Sequence, residues 1–422
     1  MTPKKTMLTN GIRAILLPRP DALSVSFLIL TNAGAKNELD QEAGLAHFIE
    51  HMGFKGTPKR PNAKIIASEF DSLGATYNAF TGYDFTSYYV TAVPDKTVQV
   101  IDLLADIYLN PIYDEAEMEK EKGVVMEEFK SYEDKPASFV WDVFLGAVYG
   151  DTPQGRTTLG KKETVVGFKR SDLMNFRRRH YLTDSTVLVV SGRFEEEKVK
   201  AQLEKLFVPL PSGRDVRPLF KEPAQSQPKV AIATRPIEQS HIVMGFRGFD
   251  IYDPRYFRLS VLSNILGGST SSRLWQRVRE ELGAAYYVGT SGSNRTNFGY
   301  FALYAGTDSR KDKQIVGVMA EECRRLKNSL VTDEELVRAK NHLIGNLYLG
   351  LETSFDLGYF FGGQEIYRRE ILSPGEFAAK INAVSADDVR SLAQDLFKPT
   401  SLNLAAVGPN QSEDDYLREL VI

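Results

Sequence analysis

Five consecutive residues concentrate the chemistry of this chain: His47-Phe48-Ile49-Glu50-His51. Histidines four apart on a helix share a face, where two imidazoles can grip one metal ion. The chain has only five histidines, so two falling in one pentapeptide by chance is on the order of a one-in-a-hundred event. Glu50 lies beside the pair, where a carboxylate can take a proton from a metal-bound water without ligating the ion itself. Two imidazoles and a carboxylate with one position left open suit zinc, which lowers the pKa of bound water toward neutrality. The third ligand must come from elsewhere. The acidic helical stretch 114–133 offers several carboxylates, of which Glu121 and Glu128, seven apart, fall on one face while Glu127 points away. Spacing alone leaves the choice among these acids open.

Other residues have plainer readings. His180, His241 and His342 lack a ligand-spaced partner nearby and read as structural. Trp141 and Trp275 sit in amphipathic stretches and read as core or interface. Arg177-Arg178-Arg179 lies near a helix end, where cations meet the last carbonyls. The stretch from Gly289 to Gly292 is too sparse in glycine for a phosphate loop.

The elements that must position the motif follow from periodicity and caps. Asp40 as N-cap and Gly53 as stop predict a helix over 41–52. Leu45, Phe48, Ile49 and Met52 then repeat at i, i+3, i+4 and i+7 and face the core, leaving His47 and His51 on another face. The segment 208–229 carries Pro209, Pro211, Pro218, Pro223 and Pro228 among polar residues, which is linker chemistry. On either side the chain resembles itself. Gly74-Ala75-Thr76-Tyr77 recurs as Gly283-Ala284-Ala285-Tyr286, and a helical pattern closing on Leu188-Val189-Val190-Ser191-Gly192 recurs before Leu404-Ala405-Ala406-Val407-Gly408. Strands in hairpin-like sets with longer helical runs predict α+β layers rather than alternating βαβ units. Aligning Gly53 with Gly267 places Val261, Asn264 and Ile265 opposite His47, Glu50 and His51. Aligning the acidic helices places Asn346 opposite Glu128. The second repeat keeps the scaffold without the ligands.

The 422 residues exceed one comfortable core. A net charge of -3 and the lack of a basic stripe give no reason to expect nucleic acid. No apolar run is long enough to span a bilayer, and the opening residues lack a signal-peptide core. The single Cys323 excludes an internal disulfide and fits a reducing compartment. The simplest reading is cytoplasmic, or periplasmic or organellar if a targeting segment has been removed.

The spacing of the motif resembles a known family. His-x-x-Glu-His followed by a glutamate 77 positions after the second histidine is similar to the inverzincin zinc peptidases: pitrilysin, insulin-degrading enzyme and mitochondrial processing peptidase. Gly44-Leu45-Ala46 before the motif and Met52-Gly53-Phe54-Lys55-Gly56-Thr57 after it resemble the family too. The resemblance covers essentially the whole chain. It implies that Glu128 is the third ligand of Zn2+ and that Glu121 is the second acidic residue near the metal. Asn78, Ala79 and Phe80, within Asn78-Ala79-Phe80-Thr81, resemble the edge strand that pairs with substrate backbone. Arg279 and Tyr286 resemble the arginine and tyrosine that the second half presents to substrate.

The expected architecture is two homologous α/β-sandwich domains, each a mainly antiparallel sheet covered by helices, together forming a half-shell. Their bounds are 1–210 for a zinc-binding catalytic domain, 211–229 for the linker and 230–422 for a domain without the metal site. The resemblance implies endopeptidase cleavage of short or unfolded polypeptides in a chamber built by a homodimer, with Glu50 as general base. A catalytically silent or heterodimeric scaffold subunit of a processing-peptidase-like complex is the alternative. Processing peptidases have two acids after the metal glutamate that receive a presequence arginine; here those positions are Ser138 and Asp142, so one acid is missing.

Overall fold

Two kinds of strand are distinguishable by composition, and each takes its place accordingly. Runs such as Val25–Thr31 and Thr186–Gly192 are apolar almost throughout and are buried along their whole length. Thr76–Thr81 alternates exposed and half-buried residues as far as Ala79, and Phe80 and Thr81 are both half-buried. A strand buried on both faces must lie centrally under two layers, and an alternating one can sit at an edge. The computed structural model, which describes residues 3–213, 222–368, 370–409 and 412–422, arranges them so. Residues 214–221 of the proline-rich linker lie outside the described residues.

The first sheet contains β1 (Lys4–Met7), β2 (Arg13–Pro18), β3 (Val25–Thr31), β4 (Thr76–Thr81), β5 (Thr86–Ala92) and β6 (Thr186–Gly192), in the order β1-β2-β6-β3-β5-β4. The second contains β7 (Lys229–Thr234), β8 (Gln239–Arg247), β9 (Ala285–Asn294), β10 (Gly299–Asp308) and β11 (Leu402–Gly408), in the order β7-β11-β8-β10-β9. Without β1 the two orders are the same topology. β2 runs parallel to β6 as β7 does to β11, and the remaining pairs are antiparallel. The internal repeat is therefore a repeat of sheet connectivity. Gly74 and Gly283, each with positive φ, turn the chain into the edge strands β4 and β9.

The helices of the two units include α1 (Leu45–Gly53), α2 (Glu115–Glu133), α3 (Pro136–Tyr149), α4 (Tyr256–Gly267), α5 (Asp333–Leu349) and α6 (Ser354–Arg368). The chain forms two compact units that interleave in sequence. The first is Met1–Phe129, Thr157–Leu219 and Leu349–Ser373; the second is Lys130–Arg156, Phe220–Tyr348 and Pro374–Ile422. The contiguous bounds 1–210 and 230–422 therefore need correction in two segments, those of α3 and α6. The reason is the second face of each sheet, which needs an apolar cover. In the first unit Leu357, Phe361 and Ile366 of α6 bury Leu28, Leu30, Val187 and Val189. In the second unit α3 packs on β11, β7 and β8, with the Phe144 ring edge-on to Tyr300. A Cβ on Gly245 would stand 2.6 Å from that Phe144 ring, so glycine makes the room. The opposite face of each sheet carries the larger core, including Leu45, Phe48, Ile49 and Met52 in the first unit. No helix among the described residues is long and apolar enough to cross a membrane.

Candidate metal centre

Helix α1 is short and firmly seated. Leu45, Phe48, Ile49 and Met52, the predicted core face, are all fully buried. The helix starts at Leu45, not Gln41, and Asp40 does not cap it: Asp40–Glu42 forms a separate 3-10 turn. The Glu38 carboxylate does the capping, accepting the backbone N–H of Gly44 at 2.9 Å and of Ala46 at 2.8 Å. An anionic cap suits the positive end of the helix dipole. Gly44 takes φ +93°, and a Cβ there would meet the Leu159 carbonyl at 2.3 Å, so the entry to the helix admits only glycine. Beyond α1, the buried Arg60 guanidinium pairs with Glu69, Asp102 and Asp106 and pins the departing chain.

The side of α1 that carries the half-buried histidines faces Glu121 and Glu128 of α2. His47 Nε2 lies 3.7 Å from one carboxylate oxygen of Glu128, and His51 Nε2 lies 3.7 Å from the other. The two rings stand edge to face with centroids 4.4 Å apart. Donor atoms from all three side chains fall within 4.8 Å of one another. Tetrahedral ligands bonded to zinc at about 2.0–2.1 Å stand roughly 3.3–3.4 Å apart, so a small inward movement would let the three share an ion. Glu128 Oε2 has no hydrogen-bond partner among the described residues, although it is shielded from solvent. Two imidazole nitrogens and a carboxylate, converging with that oxygen unclaimed, fit a zinc ion.

Neighbouring groups act on the titration of the imidazoles in opposite directions, and against burial the Glu121 hydrogen bond and the Glu50 and Glu128 charges raise the His51 pKa. His51 Nδ1 is 2.8 Å from Glu121 Oε1, which fixes Nδ1 as the donor and leaves Nε2 turned toward Glu128. Lys55, just beyond α1, pairs with the other Glu121 oxygen at 2.5 Å. Burial alone would push the Glu121 carboxyl up, but the His51 and Lys55 contacts outweigh it and hold it below its ordinary value. Burial and the neighbouring His51 lower the His47 pKa to about 3, so its ring is neutral near pH 7. Burial raises the Glu50 carboxyl, against the opposing hydrogen bond from Thr81 and the charge of His51. Thr81 Oγ1 donates to Glu50 Oε2 at 2.8 Å.

β4 is the edge of its sheet, paired on one side with β5. Tyr77 and Ala79 pack toward the core beneath α1, while Phe80 lies on the other face against Phe85, Tyr89 and Tyr359. The Ala79 N–H is taken by the Asn78 side chain at 2.9 Å instead of a strand partner, as expected for a group aimed at an open edge. Arg279 and Tyr286 belong to the second unit, where Arg279 Nη1 donates to the Tyr286 carbonyl at 2.6 Å and its guanidinium lies over Trp275 at 4.5 Å. Arg279 is carried on a π-helical stretch, Trp275–Glu281, and the Tyr286 side chain is 60% exposed. In the repeat of the motif, Val261 and Ile265 are buried in the core, and Asn264 Nδ2 donates to His342 Nδ1 at 2.9 Å.

Reasoning from spacing did not single out Glu38, Lys55 or Thr81 for the centre. Of these only Thr81 left a local trace: period two in β4 puts it on the face of Tyr77 and Ala79, toward α1.

Comparisons with known proteins match nearly the whole chain. Residues 14–162 match the family profile described as insulinase, peptidase family M16, and residues 167–343 match the one described as peptidase M16 inactive domain. The uncharacterized zinc protease YmxG of Bacillus subtilis is 33% identical over 96% of this chain and 98% of that protein. A protease from Helicobacter pylori superposes with a TM-score of 0.89 at 20% identity, covering 97% of this chain and 99% of that one. A chain of complex III2 from Candida albicans superposes with a TM-score of 0.85 at 18% identity, covering 99% and 100% respectively. These two likenesses are of fold alone.

Proposed function

Because the chain belongs to the insulinase family, peptidase family M16, we propose that it is a zinc-dependent endopeptidase acting on short or unfolded polypeptides. In this reading His47, His51 and Glu128 hold the metal and Glu50 is the general base. The observation that carries it is the convergence of both Nε2 atoms on the Glu128 carboxylate with Glu50 on the same helix. The zinc named for the relatives is then the cofactor here. When bound, it supplies Lewis acidity that activates a water and polarises the scissile carbonyl.

The chain's own residues do the rest. Glu50, its carboxyl already raised by burial, accepts the proton of the attacking water and later returns it to the leaving amine. Glu121 keeps His51 in the tautomer that offers Nε2. The open edge of β4, with Asn78, Ala79 and Phe80, receives the peptide as an added strand, and the Asn78 side chain releases the Ala79 N–H when that strand pairs. Arg279 and Tyr286 orient the peptide and stabilise the oxyanion, presented to the metal of one chain by a second copy in a homodimeric chamber. A scaffold subunit would have no use for this full set of side chains.

The test separates ligation from catalysis. His47→Ala, His51→Ala and Glu128→Gln should lose both zinc and peptidase activity. Glu50→Gln should retain zinc, measured by atomic absorption, and lose turnover. Normal turnover by Glu50→Gln would refute the assignment.

A further inference from the structure

We infer that Thr81 is a positioning residue, holding the Glu50 carboxylate so that Oε1 is the oxygen that accepts and returns the proton. The inference rests on the peptidase reading above and adds to it a residue and an atom. A hydroxyl has one proton to give. Thr81 spends its proton on Glu50 Oε2 at 2.8 Å. Its other neighbour, Thr86 Oγ1 at 3.3 Å, is already committed to the Ala33 carbonyl at 2.7 Å. With Oε2 occupied by a donor, proton uptake falls to Oε1, and rotation of the carboxylate would break the Thr81 bond.

The position of Thr81 gives this bond a second consequence. Thr81 is the last residue of β4 and pairs with Thr86 where the hairpin turns, closed by Gly82 N–H to the Phe85 carbonyl. In an antiparallel ladder alternate residues turn their backbone groups to the partner strand. Gly82 faces β5, so Thr81, like Ala79, presents its backbone to the open edge while its side chain reaches α1. One residue thus joins the strand that receives the peptide to the carboxylate that acts on it. Occupying the edge should steady the base.

Replacement by valine keeps the shape and removes the hydroxyl. Thr81→Val should keep its zinc, its melting temperature and a near-normal KM for a peptide substrate, while kcat falls by about ten- to a hundredfold, as for other supporting partners of an active site. Thr81→Ser should recover most of kcat. Thr86→Val serves as the structural control: it orphans the Ala33 carbonyl and should lower the melting temperature with kcat unchanged. A Thr81→Val protein with wild-type kcat would overturn the inference and leave the peptidase reading intact. Equal losses of kcat in Thr81→Val and Thr86→Val, tracking stability, would also overturn it. Failure of the zinc-loaded wild type to cut any peptide would overturn the peptidase reading, and the inference with it.

Discussion

At the scale of single residues, the donors of the centre are oriented by their neighbours. Glu121 does most of this for His51, so Glu121→Gln should weaken zinc binding by about ten- to a hundredfold while leaving Glu50 in place. Competition with a chromophoric chelator measures it, and unchanged affinity would remove Glu121 from the centre. Asp142, on α3 of the second unit, offers a test of pH dependence. Burial pushes its carboxyl up to about 6. Between the ordinary aspartate pKa and that value the unfolded chain is ionised and the folded one still protonated, so rising pH favours unfolding and the loss levels off above about 6. Asp142→Asn should therefore melt higher than wild type at pH 8 and at the same temperature near pH 3. A variant less stable at pH 8 would mean that the ionised carboxylate has a favourable partner. At this scale the sequence was most legible. His47 and His51 share a face of α1 as their spacing predicts, and Glu128, a choice that spacing left open and the family resemblance supplied, converges on them. Lys55 was not legible, since its contact depends on how the loop after α1 folds back on α2.

At the scale of elements, the periodicity of α1 was readable and its start was not. Leu45, Phe48, Ile49 and Met52 obey the helical repeat and lie in the core. The cap comes from Glu38, six and eight residues before the N–H groups it accepts, a loop geometry outside any spacing rule for capping. Glu38→Ala should cost about 1 kcal/mol of stability through loss of the cap. Because α1 carries both histidines, zinc affinity should fall with it. Thermal melts of the metal-free protein and chelator competition give the two numbers, and an unchanged melt would show that the helix start is held by other contacts. The edge position of β4 was expected from its resemblance to a substrate-pairing strand, and the sheet order has it there. That Phe80 packs against α6-side aromatics on the far face, while Thr81 reaches Glu50, follows from strand alternation once the face is known.

At the scale of the whole molecule, repeated connectivity was visible as paired sequence motifs, but the membership of α3 and α6 was not. Apolar strands announce that both faces need cover without saying which helix supplies it. The proposed homodimer can be tested through complementation. Glu50→Gln and Arg279→Ala should each be severely impaired, and mixing them under conditions of subunit exchange should raise activity well above either parent. In the heterodimer one site combines an intact Glu50 with an intact Arg279 from the other chain. Equilibrated heterodimers without rescue would put both elements to work within one chain. The most direct test of the central claim is a random peptide library digested by the wild-type protein and read by mass spectrometry, first stripped of metal and then with zinc restored. The account predicts internal cleavages that vanish on stripping and return with zinc; cleavage indifferent to the metal, or none from the zinc-loaded protein, would contradict it.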